Sequence, residues 1–217
     1  MRQSPSLKDL VTILYQPRET MRRILDGGRQ RWGVQVVMLA AVCAAVNDAD
    51  VSHAGRDLPQ LKAMPLLAII ALGLVAQAIA WSVLLFVVAW MATPVGRFLG
   101  GTAPVADVRA ALGWSMTPVV WSPIYRIPLL IFATRMHVGS KVNLHATLVD
   151  FVSRGGCSVL VVYLFLQGAF TVWCIVLASF TVAEAQRFST QKGFVTVLAT
   201  LALPVLVVAA AVLAFRS

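Results

Sequence analysis

The 217-residue chain is poor in charge and poorest in acid: 12% of its residues are charged, with 9 Asp and Glu against 18 Lys and Arg. A soluble domain carries about 25% charged residues, so an ordinary water-soluble enzyme is excluded. A disordered tail is excluded too, because 59% of the residues are hydrophobic and the mean hydropathy is +0.82. Cysteine is scarce. Cys43, Cys157 and Cys174 sit in or beside apolar runs with no CxxC among them, which excludes a disulfide framework and a cysteine zinc site. Residues 1–31 hold no apolar h-region and no small-residue cleavage site, so they do not read as a signal peptide.

Catalytic signatures are missing as well. There is no GxSxG, no HExxH and no close carboxylate pair inside an apolar run, and Gly100-Gly101 lacks the Lys-Ser/Thr of a phosphate loop. His137, His145 and Asp150 fall in one connection and His53 in another. Two histidines without a cysteine or a tight carboxylate partner make a poor metal site. The expectation is therefore a protein that is not an enzyme and has no cofactor or metal. The net charge of +9 does not point to nucleic acid, because the bases are spread between apolar runs rather than along one face.

What is present is a series of five apolar stretches, at about 33–48, 64–91, 112–133, 156–183 and 194–215. A spanning helix needs about 20 residues, so the first is short and the fourth and fifth are clear. The fold class expected is all-α: a polytopic transmembrane bundle of five spans, or four if the first stretch stays out of the bilayer. Lys and Arg set the orientation. With five spans and the N-terminus in the cytoplasm, eleven of the 18 bases lie inside and six outside, Arg126 falling within the third stretch. Both span counts put the N-terminus in the cytoplasm.

Residues 1–31 form a separate cytoplasmic basic segment ahead of the membrane domain, 32–217. Leu7, Leu10, Val11 and Leu14 follow helical spacing, Pro17 interrupts, and Met21, Ile24 and Leu25 follow, closed by Gly27 and Gly28. Arg18, Arg22, Arg23, Arg29 and Arg31 accompany them. This pattern predicts an interfacial amphipathic helix with its arginines among anionic lipid headgroups. A helix folded onto the protein's own cytoplasmic face accounts for it equally well.

The third stretch carries the unusual chemistry. Pro118, Pro123 and Pro128 recur every five residues, freeing the carbonyls of Trp114, Val119 and Ile124. Such groups need neighbouring helices, hydroxyls or water. Arg126 lies in the same stretch, and either snorkels to an interface or finds a partner inside the bundle. If it pairs, Asp48 is the first choice, because Asn47-Asp48 closes the first stretch on the same side. Gln35, Gln77 and Gln167 read as interhelical hydrogen-bonding residues. Trp81, Trp121 and Trp173 read as packing residues.

Three patterns resemble the Yip-one domain family of small multi-span membrane proteins. Leu14-Tyr15-Gln16-Pro17-Arg18-Glu19-Thr20-Met21 is similar to the opening of its bacterial members. Gly100-Gly101, with Asp107-Val108-Arg109-Ala110-Ala111-Leu112-Gly113-Trp114-Ser115-Met116-Thr117-Pro118, resembles its glycine loop and small-residue helix entry. Trp173, with Glu184-Ala185-Gln186-Arg187-Phe188-Ser189-Thr190, resembles its fourth helix and the polar turn before the last. The resemblance implies five helices, a cytoplasmic N-terminus and a bacterial inner membrane. Together with the basic N-terminal segment and the scarcity of charge inside the apolar stretches, it favours a scaffold, assembly or trafficking-like role, with anionic lipid, another membrane protein or a second copy as partner. The alternative is a small transporter or channel built on the Pro-rich third stretch around Arg126.

Overall fold

The computed structural model describes residues 7–28, 32–45, 65–128 and 157–214, and those residues are all helix and short connection. Two N-terminal helices come first, α1 (Leu7–Tyr15) and α2 (Pro17–Asp26), followed by α3 (Trp32–Ala45), α4 (Leu66–Phe98), α5 (Val105–Ser115), α6 (Thr117–Trp121), α7 (Cys157–Gln186) and α8 (Thr190–Ala214). Helical structure continues past α6 through residues 123–128. Two segments, Leu67–Phe98 and Val161–Gln186, are long and apolar enough to cross a membrane, and only 17% of an 18-residue apolar window in each is buried by the rest of the chain. A core helix of a soluble protein would be mostly covered, so these helices need lipid to cover them. Trp32–Ala45 is a shorter apolar helix.

The centre of the bundle is α5, a short helix of small residues. Val108, Ala110, Ala111, Leu112, Gly113, Trp114 and Ser115 are all buried, and α5 touches α3, α4, α6 and α7. Gly113 allows this. A Cβ there would strike the backbone of Gly33, and a Cβ at Gly33 would strike Ala110. The α3 and α5 backbones therefore meet directly, the close crossing that small residues permit in membrane bundles. On its other side, Thr181 of α7 donates to the Ala111 carbonyl at 3.0 Å.

Helix ends follow local chemistry. Gly100 (φ 93) closes α4 in a Schellman motif, with Gly101 N–H donating to Gly96 O at 2.9 Å and Gly100 N–H to Arg97 O at 2.9 Å. Helix α7 closes the same way, through Phe188 N–H to Ala183 O at 3.0 Å and Arg187 N–H to Glu184 O at 3.2 Å. There the left-handed residue is Arg187 (φ 57), a conformation that costs a side-chain-bearing residue about 1–2 kcal/mol. This tight turn sends α8 back along α7. At the Pro-rich stretch the helix breaks at Met116, and the carbonyl that Pro118 frees on Trp114 accepts the Thr117 hydroxyl at 2.6 Å. The third stretch is thus a chain of short helical pieces beginning at Val105, earlier than its apolar residues suggest.

The N-terminal pair folds back onto the bundle. Pro17 opens α2 at a position where no N–H is needed, and the Thr20 hydroxyl donates to Thr12 at 3.2 Å across the hairpin. Ile13, Met21 and Ile24 are fully buried in the core, whereas Val11 is exposed. The face in contact is therefore centred on Ile13, beside the stripe that the sequence spacing marks. Helix α1 packs on α6 and α2 on α7.

Candidate functional site

Two polar clusters stand out, one at each end of α7. The first surrounds its C-terminal turn. Glu184 accepts from Arg22 Nε at 2.7 Å and from Arg18 Nε at 3.2 Å, and Arg18 Nη2 also reaches the Phe188 carbonyl at 3.4 Å. An acid in the last turn of a helix opposes the dipole, and the two arginines offset this. The hydrogen bond and charge of Glu184 raise the Arg22 pKa above its ordinary value. The clasp fastens α2 to the turn between α7 and α8.

Beside it, Gln186 fills a slot with no room to spare. A Cβ on Gly96 or on Gly101 would overlap its amide, and its Oε1 accepts the Ala103 N–H at 3.1 Å. The side chain is 1% exposed, and its Nε2 has no partner among the described residues. Lys192 donates to the Leu99 carbonyl at 2.8 Å, capping α4 from α8. The glycine pair is therefore a helix cap and a seat for Gln186, a role that sequence reasoning missed. A glutamine directly before a basic turn residue, with a distant Gly-Gly, is the only signal available.

The second cluster lies toward the other end of α7. Arg126 is 8% exposed and does not snorkel. Its Nη1 donates to the Ala44 carbonyl at 2.8 Å, its Nη2 to Gln167 Oε1 at 2.7 Å, and its Nε to the Tyr125 hydroxyl at 3.4 Å. Tyr125 in turn donates to the same Gln167 oxygen at 2.8 Å. Ala44 sits in the last turn of α3, so a guanidinium meets the negative end of a helix. Among the described residues no carboxylate pairs with Arg126. Asp48, the partner expected from sequence, lies outside them.

The remaining site residues fall elsewhere. Asp107 occupies the first turn of α5, where an acid complements the dipole. Arg109 stacks on Phe86 of α4, its guanidinium carbon 4.5 Å from the ring centre, and its buried Nε has no partner among the described residues. Pro118 is buried at the start of α6. Pro123 follows the break at Ser122, and Pro128 ends the described helical run. Arg23 donates to Thr20 at 3.5 Å and is otherwise exposed. Arg29 and Arg31 lie outside the described residues, as do His53, His137, His145 and Asp150. Gln167 bridges helices as expected, but Gln35 is exposed on α3. Trp173 is 46% exposed on α7, so it is not a core residue.

The gathered groups include no nucleophile–base pair, and among the described residues no His, Cys, Asp and Glu cluster could hold a metal. The family model described as the Yip1 domain matches residues 11–212, from the middle of α1 to the last turn of α8. No curated protein and no solved structure matches the chain. Two helices able to cross a membrane and a match over almost the whole length agree: the chain is a membrane protein and belongs to the Yip1 domain family.

Proposed function

We propose that the protein is a non-enzymatic membrane scaffold or assembly factor of the Yip1 type, trafficking-like in character. It works in a bacterial inner membrane with its N-terminus in the cytoplasm. In this reading five segments cross the bilayer: α3, α4, the run from α5 through residue 128, α7 and α8. The hairpin α1–α2 lies at the cytoplasmic face.

The observation that carries the reading is how the hairpin is seated. Ile13, Met21 and Ile24 are buried against the bundle, while Tyr15, Arg22 and Arg23 face outward and Arg18 is half exposed. This leaves one basic, partly aromatic face held in a fixed position. Such a face suits an acidic partner segment or anionic headgroups, and each base near an anionic surface is worth about 1 kcal/mol. Arg29 and Arg31 extend the same basic run in sequence. The partner is another membrane protein or a second copy, with anionic lipid bound around it.

Photo-cross-linking in native membranes, from probes placed at positions 15 and 23 of the full chain, tests this. A discrete protein adduct at either position is expected. Adducts with lipid alone would overturn the scaffold reading, and proton or ion flux in liposomes that is lost on Arg126→Ala would replace it with transport. A C-terminal reporter active only outside the cytoplasm is expected for five spans, and cytoplasmic activity would mean four.

A further inference from the structure

A cavity of about 410 Å³ lies between α4 and α7, floored by α5 and α6 and closed on one side by α8. Its body is apolar, walled by residues such as Leu85, Val88, Phe170, Ile175, Ala178 and Leu201. The threonine hydroxyls along this body have their protons committed and offer a guest no donor. Thr171 donates back to the Gln167 carbonyl at 2.8 Å and Thr200 to the Thr196 carbonyl at 2.7 Å. A water needs two to four polar partners, so most of this space suits hydrocarbon.

One end differs. Ser122, Tyr125, Arg126 and Gln167 line it together. Ser122 is 1% exposed, and its hydroxyl is buried with no hydrogen-bond partner among the described residues. A buried hydroxyl without a partner is costly, and Ser122 is one of the residues that line the cavity. Arg126 is also buried and lines the same end. A guanidinium has five N–H donors, and Arg126 commits three of them, to Ala44, Gln167 and Tyr125. The end therefore holds a desolvated positive charge with spare donors, an orphan hydroxyl and no carboxylate among the described residues.

We propose that this cavity binds a single-chain anionic lipid, its carboxylate or phosphate held by Arg126 and Ser122 and its acyl chain laid along the apolar body. The volume lies at the lower end of the roughly 300–1,000 Å³ typical of ligand sites, so it suits one chain and not two. The polar end at Gln167 and the apolar end at Ala178 stand about 16 Å apart by helix rise along α7. That length matches a medium acyl chain. A carboxylate or a phosphate supplies the acceptors that both groups lack, and charge-assisted hydrogen bonds of this kind are the strong ones.

The test uses the full chain in nanodiscs of neutral phosphatidylcholine, titrated with three probes of equal chain length: a fatty acid, a lysophosphatidylglycerol and the fatty alcohol. Both anions should bind about ten- to a hundredfold more tightly than the alcohol, the range that a charge-assisted contact supplies. The tighter of the two identifies the headgroup. Arg126→Gln should abolish the preference for anions, and Ser122→Ala should weaken it several-fold. Ala178→Phe, which fills the far end, should weaken all three probes while leaving the anion preference intact. It keeps the proposal open to refutation should Arg126→Gln fail to fold. Equal affinity for acid and alcohol in the unaltered protein would overturn the proposal. So would affinity for all three probes unchanged by Ala178→Phe.

Discussion

The two polar clusters on α7 solve opposite problems with different chemistry. At the Glu184 end a carboxylate, itself 9% exposed, is held by two arginine side chains that remain 46% and 67% exposed. At the Arg126 end a buried cation has no carboxylate among the described residues and leans on a helix terminus, an amide and a phenol. Where water reaches the partners, ion pairs form at low cost and contribute little, typically up to about 1 kcal/mol. Where water is excluded, each charge must be met by fixed dipoles, and the loss of any one of them is expensive. The contrast teaches that the cluster without a salt bridge should matter more for stability than the cluster with two.

The comparison can be broken at its strong end first. Gln167→Leu removes the oxygen that accepts from both Arg126 and Tyr125 and leaves a buried charge short of a partner. It is expected to lower stability by about 1.5–3 kcal/mol, read as a thermal shift in detergent. A loss near zero would mean that Arg126 finds water. Next in size is Gly101→Val, which puts atoms where the Gln186 amide sits. Overpacking of this kind costs about 1–3 kcal/mol, and the double variant with Gln186→Ala should recover part of it, because the two sites share one space.

Glu184→Ala should change global stability by about 1 kcal/mol or less. It should nonetheless speed hydrogen exchange in α2 relative to α5, because the hairpin loses its clasp. High salt should reproduce part of that effect and leave the Gln167→Leu deficit untouched, since screening acts on exposed pairs. Equal salt sensitivity at both ends would erase the distinction. The smallest effect is expected at Arg187→Gly. It relieves the left-handed strain, partly offset by unfolded-state entropy, and should stabilise by at most about 1 kcal/mol.

Legibility followed the same divide. The long helices were readable, because a run such as Leu66–Phe98 is apolar enough to declare itself whatever surrounds it. The core was not. In water the most apolar segment is buried, but here α4 and α7 are mostly uncovered by protein while the Ala- and Gly-rich α5 is enclosed. Lipid is as apolar as leucine, so close backbone approach rather than hydrophobicity decides what lies at the centre. Arg126 stood out by being charged in an apolar stretch, but the stretch left snorkelling and pairing both open. That the partners are the Ala44 carbonyl and Gln167 was not readable, because backbone acceptors at helix ends carry no residue signature. Nor could spacing choose between lipid and the bundle as the surface covering α1 and α2.

The sequence by itself determined the helical class, two long membrane-crossing stretches, the Pro-interrupted character of the third stretch, and the family. These depend on neighbouring residues and on composition, which the chain carries locally. Only the tertiary structure decided that Gly113 meets Gly33 and that Gln186 sits between Gly96 and Gly101. It also decided that Glu184 holds Arg18 and Arg22, and that Ser122 and Arg126 face one cavity. Those are encounters between distant segments, and they are set by which helices can approach closely enough to leave no space, or to leave one.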